Sequence, residues 1–365
     1  MTVGERLSYG GAIRQVVEEA VLADRLGVDV FTVGEHHRSD YAISAPEIVL
    51  SAVASRSTRM RVGTGVTVLS SDDPVRVHQR FATLDAIAPG RTEVILGRGS
   101  FTESFALFGY DLANYEQLFE EKLDLFVKLL DEKPVTWSGQ TRAALTEADI
   151  YPKTESGRIP TWIGVGGTPN SIVRAARYGL PVMLAIIGGD PARFVPYVDL
   201  YERASQQFGT PSHALGMHSP GFIADTDADA AEFLFPHYKA NRDKVGRERG
   251  WPPVRREAFD AEIAHGSLYV GSPETVAHKI ARAVEALGVR RFDLIYTAGP
   301  IPTSARLRAV ELYGKEVIPM VKELLGKVRR ARTSRELHKV VGSASWAPAR
   351  SAPFWLALPW QPATR

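Results

Sequence analysis

A parallel (β/α)8 TIM barrel is the fold this sequence predicts, and three observations carry the expectation. Short apolar, β-branched runs alternate with longer stretches of helical period, the pattern of consecutive βα units. The apolar runs end in small or polar residues, as strands do where they reach the active face of a barrel. A chain of 365 residues accommodates one such barrel with insertions.

Taken in order, the expected strands are 28–35, 60–69, 92–99, 161–167, 182–188, 214–224 and 292–299, seven of the eight a closed barrel needs. Ahead of the first, Ile13, Val16, Val17, Ala20, Val21 and Leu26 keep one helical face apolar, and Gly27 stands where a left-handed cap belongs. Further helices are expected at 46–56, 74–87, 114–131, 168–178, 191–208, 273–287 and 303–325. Pro46, Pro74, Pro191 and Pro273 fall near predicted first turns, where a missing N–H costs nothing. Two stretches interrupt the rhythm. Residues 132–160 are long, polar and proline-containing, and residues 226–268 hold charged helical segments around GWPP at 250–253. Both read as insertions over the mouth of the barrel, at its C-terminal face. The barrel is expected to fill residues 1–325, and 326–365 to form a basic, loosely ordered tail.

Composition narrows the function. The net charge of +2 hides an asymmetry: residues 322–365 carry nine Lys or Arg against two Glu, which leaves the body at −5. An acidic body lacks the basic face that nucleic-acid binding needs, so no nucleic-acid partner is expected. Absence of cysteine excludes disulfides, thiolate metal sites and cysteine nucleophiles. The start MTVGERLSYGGAIRQ has no apolar core of signal-peptide length, and runs such as PVMLAII at 181–187 are far too short for a membrane span. A cytoplasmic protein without membrane attachment is the expectation.

Chemistry should converge at the strand ends. His36 and His37 follow the first strand directly; neighbours on a strand face opposite ways, so one at most points down the barrel axis, and a metal site from both is not expected. Either the pair is hydrogen-bonded to loop backbone, or one member serves as general base or hydrogen-bond donor. Arg98, between Gly97 and Gly99, would be costly to bury unless an anion or carboxylate meets it. A phosphate suits its fork, the structural alternative being a salt bridge to Glu35 or Glu93. Gly99 and Ser100 continue this strand end. In TWIGVGGTPNSIVRAARYG, Gly166 and Gly167 permit close backbone approach to a ligand, and Thr168 and Ser171 offer hydroxyls to an anion; Thr168 would otherwise be a plain helix cap. No Rossmann fingerprint, nucleophile elbow, zinc-protease motif or Walker loop is present.

Five segments in order, GEHH at 34–37, VGTGVTVLSSDDPVR at 62–76, GRGSFTESFALFGYDL at 97–112, WIGVGGTPNSIVRAARYGLP at 162–181 and GSPETVAHKI at 271–280, resemble the luciferase-like flavin monooxygenases. The likeness spans roughly residues 12–321. It implies that His36 matches the family's catalytic histidine beside the flavin ring, acting as a base or stabilising the peroxyflavin. It implies that Arg98, Thr168 and Ser171 bind the flavin phosphate, with Gly99, Ser100, Gly166 and Gly167 in the cofactor site. Gly65-Val66 matches a strand end where the family often carries a non-prolyl cis peptide against the isoalloxazine. Reduced FMN from a separate NAD(P)H:flavin reductase, O2, a small organic substrate such as a carbonyl compound, and a homodimer complete the implied picture. Sister branches use the deazaflavin F420 for hydride transfer, and some members are non-catalytic flavin-binding proteins. Two departures stand out. A family glutamate near the phosphate is replaced by Gly167, and MTVGERLSYGG contains no run comparable to the family's first strand. Either the start lies upstream or the barrel lacks that strand, and a gap would expose two strand edges. The run APFWLAL at 352–358 is a further candidate to fill it.

Overall fold

The computed structural model describes residues 7–99, 101–297 and 299–327; Ser100, most of the expected tail and the run at 352–358 lie outside them. The chain opens with helix α1 (Tyr9–Arg25), capped by the Ser8 hydroxyl, which accepts from Gly11 N, and closed before Gly27 at φ 81°. It continues through β1 (Val30–Val33), α2 (Pro46–Ala54), β2 (Arg61–Val68), α3 (Pro74–Ile87), β3 (Thr92–Gly97), α4 (Glu103–Leu107) and α5 (Tyr115–Leu129). A small antiparallel hairpin, β4 (Val135–Trp137) and β5 (Leu145–Ala148), precedes β6 (Thr161–Val165), α6 (Pro169–Arg177), β7 (Val182–Ala185), α7 (Val195–Phe208) and β8 (Gly216–Ile223). Then follow α8 (Asp227–Arg249), α9 (Arg256–Ala264), β9 (Tyr269–Gly271), α10 (Pro273–Leu287), β10 (Arg291–Ile295) and α11 (Thr303–Leu312), which runs on through a π-turn at Tyr313–Val317. Pro46, Pro74 and Pro273 are first residues of their helices, as expected.

The strands run parallel in the order β1-β2-β3-β6-β7-β8-β10, with β9 continuing the ladder on the far half of β8. This is the expected barrel topology, with each strand shorter than its apolar run because the last residues turn into the loops of the active face. The sheet curls. Glu93 of β3 pairs with Arg291 of β10 although three strands separate them along the sheet, so the two must meet across the barrel interior. Alternation then sends Val94 and Leu96 outward into the main core, where they meet Leu50, Val53, Phe81 and Phe126 of the surrounding helices.

Among the described residues no strand pairs with the outer edges of β1 and β10. The rings of Phe31 and Tyr296 lie 6.5 Å apart across that seam, and the Tyr296 hydroxyl donates to the buried Glu19 of α1 at 2.7 Å. Three elements went unforeseen: the hairpin, β9 and α4. Residues 132–160, the first expected insertion, leave from the end of α5 and run along α3 and α5 until Arg142 Nε donates to Asp73, the cap of α3 on the mouth side, at 2.9 Å. Trp137 Nε1 donates to Asp124 at 2.9 Å, and Ser156 Oγ to Asp85 at 2.9 Å. The second insertion does follow a strand, and α8 and α9 pack with β8 and β9 around Phe222, Leu234, Phe259 and Val270.

Candidate functional site

The ends of β1, β2, β3 and β6 are consecutive in the sheet, so the predicted residues of four strand ends fall side by side. At the first, the two histidines separate. His37 Nε2 lies 2.9 Å from Glu35 Oε1, and the other Glu35 oxygen accepts from Val68 N at 2.9 Å, which fixes His37 to the end of β2. His36 is the free member: its backbone N–H donates to Ile43 O at 3.0 Å, and among the described residues its ring makes no hydrogen bond. Instead the imidazole stacks on Tyr41, centroids 3.9 Å apart, and meets the edge of Phe101 at 5.6 Å. Burial among these rings pushes the imidazole down to about 4, against the opposing pull of Asp40, so it is neutral at ordinary pH.

The neighbouring strand end carries the cis peptide Gly65–Val66. A Cβ built on Gly34 would lie 3.2 Å from His36 Nε2 and 3.7 Å from Gly65 O, which places histidine and cis peptide next to each other. The Val66 side chain is housed by two glycines: a Cβ on Gly97 would come within 2.7 Å of it, and one on Gly164 within 2.9 Å. Gly97, chosen from the sequence only as a neighbour of Arg98, therefore has its own steric reason.

Arg98 reaches the end of β6. Its Nη2 donates to Thr168 Oγ1 and to Ser171 Oγ, each at 3.3 Å, and those hydroxyls lie 2.8 Å from each other. Thr168 occupies the cap position of α6 but makes no side-chain hydrogen bond to the helix amides, so the plain-cap reading fails. Gly167 adopts φ 109° and its carbonyl accepts from Tyr197 OH at 2.7 Å, while a Cβ on Gly166 would meet nothing within 4 Å. The expected acidic alternative is corrected as well. The carboxylate on Arg98 is Glu116, at the start of α5, because Glu35 is spent on His37 and Glu93 on Arg291. Arg174, also missed, donates from Nη2 to Glu116 Oε2 at 3.0 Å and from Nε to Glu120, leaving Nη1 buried without a partner. Ser171 to Arg174 is one helical turn, and that spacing was the available signal for Arg174.

The mouth is overhung by α8. Arg38, two residues beyond His36, pairs with Asp40, with Glu103 of α4 and with Glu248 of α8, and its guanidinium sits 4.4 Å from the Phe101 ring centroid. Lys244 of α8 adds a 2.9 Å pair to Asp40. Among the described residues no cluster of three His, Asp or Glu could hold a metal ion, and no helix is long and apolar enough to cross a membrane.

The fit of these groups to a phosphate-bearing planar cofactor can be judged from the donors themselves. One guanidinium with two hydroxyls, a second guanidinium with an unspent buried N–H, and an open glycine backbone suit a phosphate, and the Tyr41 and Phe101 rings beside His36 offer apolar surface to a ring system. A parallel α/β barrel that gathers two guanidiniums and two hydroxyls at one strand end, beside a half-buried neutral histidine at another, is the class of enzyme that fold and candidate site define. The chain belongs to the luciferase-like monooxygenase family, whose model matches residues 1–291. Limonene 1,2-monooxygenase from Rhodococcus erythropolis is 34% identical over 321 residues, covering 84% of this chain and 81% of that protein. Among solved structures, the oxygenating constituent of 3,6-diketocamphane monooxygenase from Pseudomonas putida, in complex with FMN, superimposes with a TM-score of 0.70 at 19% identity, covering 88% of this chain and 96% of that one. An F420-dependent secondary alcohol dehydrogenase superimposes with a TM-score of 0.67 at 21% identity, covering 84% and 94%.

Proposed function

We propose that this chain is a flavin-dependent monooxygenase that takes reduced FMN from a separate NAD(P)H:flavin reductase and oxygenates a small organic substrate, a carbonyl compound being the class favoured. The observation that carries the reading is the placement of His36, the Gly65–Val66 peptide and the Arg98–Thr168–Ser171 cradle on four adjacent strand ends. When bound, the reduced flavin supplies the two electrons with which O2 is divided, one oxygen atom going to substrate and the other leaving as water.

The protein's own residues do the rest. Arg98, Thr168 and Ser171 hold the phosphate, Gly166 and Gly167 let the backbone close on it, and Gly65 and Val66 offer a flat wall to the ring. Gly99 borders the phosphate end, and Ser100, outside the described residues, is kept as a cofactor contact on the family resemblance alone. His36, neutral because it is buried, works as a hydrogen-bonding group at the reacting end; a base for neutral pH would need a value nearer that pH. Helix α8, pinned by Arg38, excludes water from the mouth. Assembly as a homodimer through the early helices is part of this reading, resting on the family resemblance.

Hydride transfer with F420 is the second reading, favoured by the likeness to the F420-dependent dehydrogenase. Fluorescence titration of the purified protein with FMN and with F420 separates the two. FMN binding with weak or no F420 binding is expected; tight F420 binding without FMN binding would overturn the monooxygenase reading.

A further inference from the structure

Glu116 is the unexpected member of the cradle. Its two oxygens take donors from both guanidiniums, Oε1 from Arg98 and Oε2 from Arg174. A phosphate monoester would demand the same donors, and a carboxylate is a fair imitation of one edge of it. The side chain is otherwise lightly held: it is 62% exposed, whereas Arg98 and Arg174 are 20% and 10% exposed, so the acid can turn into solvent while the bases stay in place. Charge points the same way. Arg98, Arg174 and Arg177 face Glu116 and Glu120, a surplus of one positive charge. With Glu116 turned away the surplus is two, which matches a phosphate carrying roughly two negative charges at neutral pH. The unspent buried N–H of Arg174 is a further donor waiting for such an anion.

We propose that Glu116 is a built-in competitor for the cofactor's phosphate, which the flavin must displace from Arg98 and Arg174 in order to bind. The inference rests on the reading of this cradle as the flavin phosphate site. It assigns Glu116 a role suited to a cofactor that arrives reduced and leaves oxidised: the carboxylate retakes the guanidiniums as the flavin departs, which keeps affinity modest and exchange fast.

The test is fluorescence titration and stopped-flow dissociation of FMN and riboflavin with the unaltered protein, Glu116→Gln and Arg98→Ala. Glu116→Gln should bind FMN about tenfold more tightly, the scale of one lost competing surface ion pair or two, and release it more slowly, while riboflavin affinity stays unchanged. If Glu116→Gln binds FMN equally or less well while Arg98→Ala still weakens FMN and spares riboflavin, Glu116 merely orients Arg98 and the inference fails with the phosphate site intact. If Arg98→Ala leaves FMN binding untouched, the phosphate reading itself fails and takes the inference with it.

Discussion

At one end of the mouth, His36 packs against Tyr41 and Phe101, which also touch each other, with no hydrogen bond to its ring among the described residues, while at the other end Arg98 is met by a carboxylate and two hydroxyls. Both ends remove an ionisable group from water, and they answer the cost differently. The histidine gives up its charge, with a value lowered to about 4, and the arginine, which cannot, keeps its charge and gathers partners. A neutral apolar end suits a ring system and a reaction from which water must be kept; a compensated ionic end suits an anion that comes and goes.

The largest effect should come from breaking the apolar end. Replacing His36 with Ala should lower kcat by roughly 10²–10³-fold, the range for loss of one positioned hydrogen-bonding group at the reacting end, while FMN affinity changes little. The pH profile sharpens the point. A histidine neutral down to about 4 contributes no inflection between pH 5.5 and 8, so an inflection near 6.5 that disappears in His36→Gln would contradict this environment. At the ionic end, Arg98→Ala should cost roughly 10–150-fold in FMN affinity, corresponding to about 1.5–3 kcal/mol for hydrogen bonds to a charged group, with riboflavin unaffected.

Stability against acid comes next. The unfolded chain protonates this histidine near 6.5 and the folded chain only near 4, so between those values the unfolded state holds the extra proton and stability falls as pH is lowered. His36→Gln should therefore lose less stability than the unaltered protein between pH 6.5 and 4, measured by urea midpoints. The smallest effect belongs to the clamp over the mouth: Arg38→Ala should reduce stability by about 1 kcal/mol, since its partner Glu248 is exposed and Glu103 only half-buried, and should make the protein less sensitive to salt.

Much of this arrangement is legible in the amino-acid sequence because barrel strands are continuous apolar runs that end in small or polar residues, and those ends carry the candidate site. Val94 and Leu96, then Gly97 and Arg98, show both signals within five residues. What escapes is whatever depends on approach in space. No spacing rule ties Glu116 of α5 to Arg98, or Phe101 to His36, because each contact joins segments far apart in the chain, and Tyr41 meets His36 only through the turn their shared loop takes. The hairpin at 135–148 is short and half-polar, so its period is lost among turns, and β9 is only three residues long.

The most direct measurement is a crystal structure with FMN bound. The phosphate should lie within hydrogen-bonding distance of Arg98, Thr168 and Ser171 with Glu116 turned to solvent, and the ring should rest against Gly65–Val66 on the side of His36. A phosphate bound elsewhere, with Glu116 still seated on Arg98 and the ring away from His36, would contradict the reading of this mouth as a flavin site.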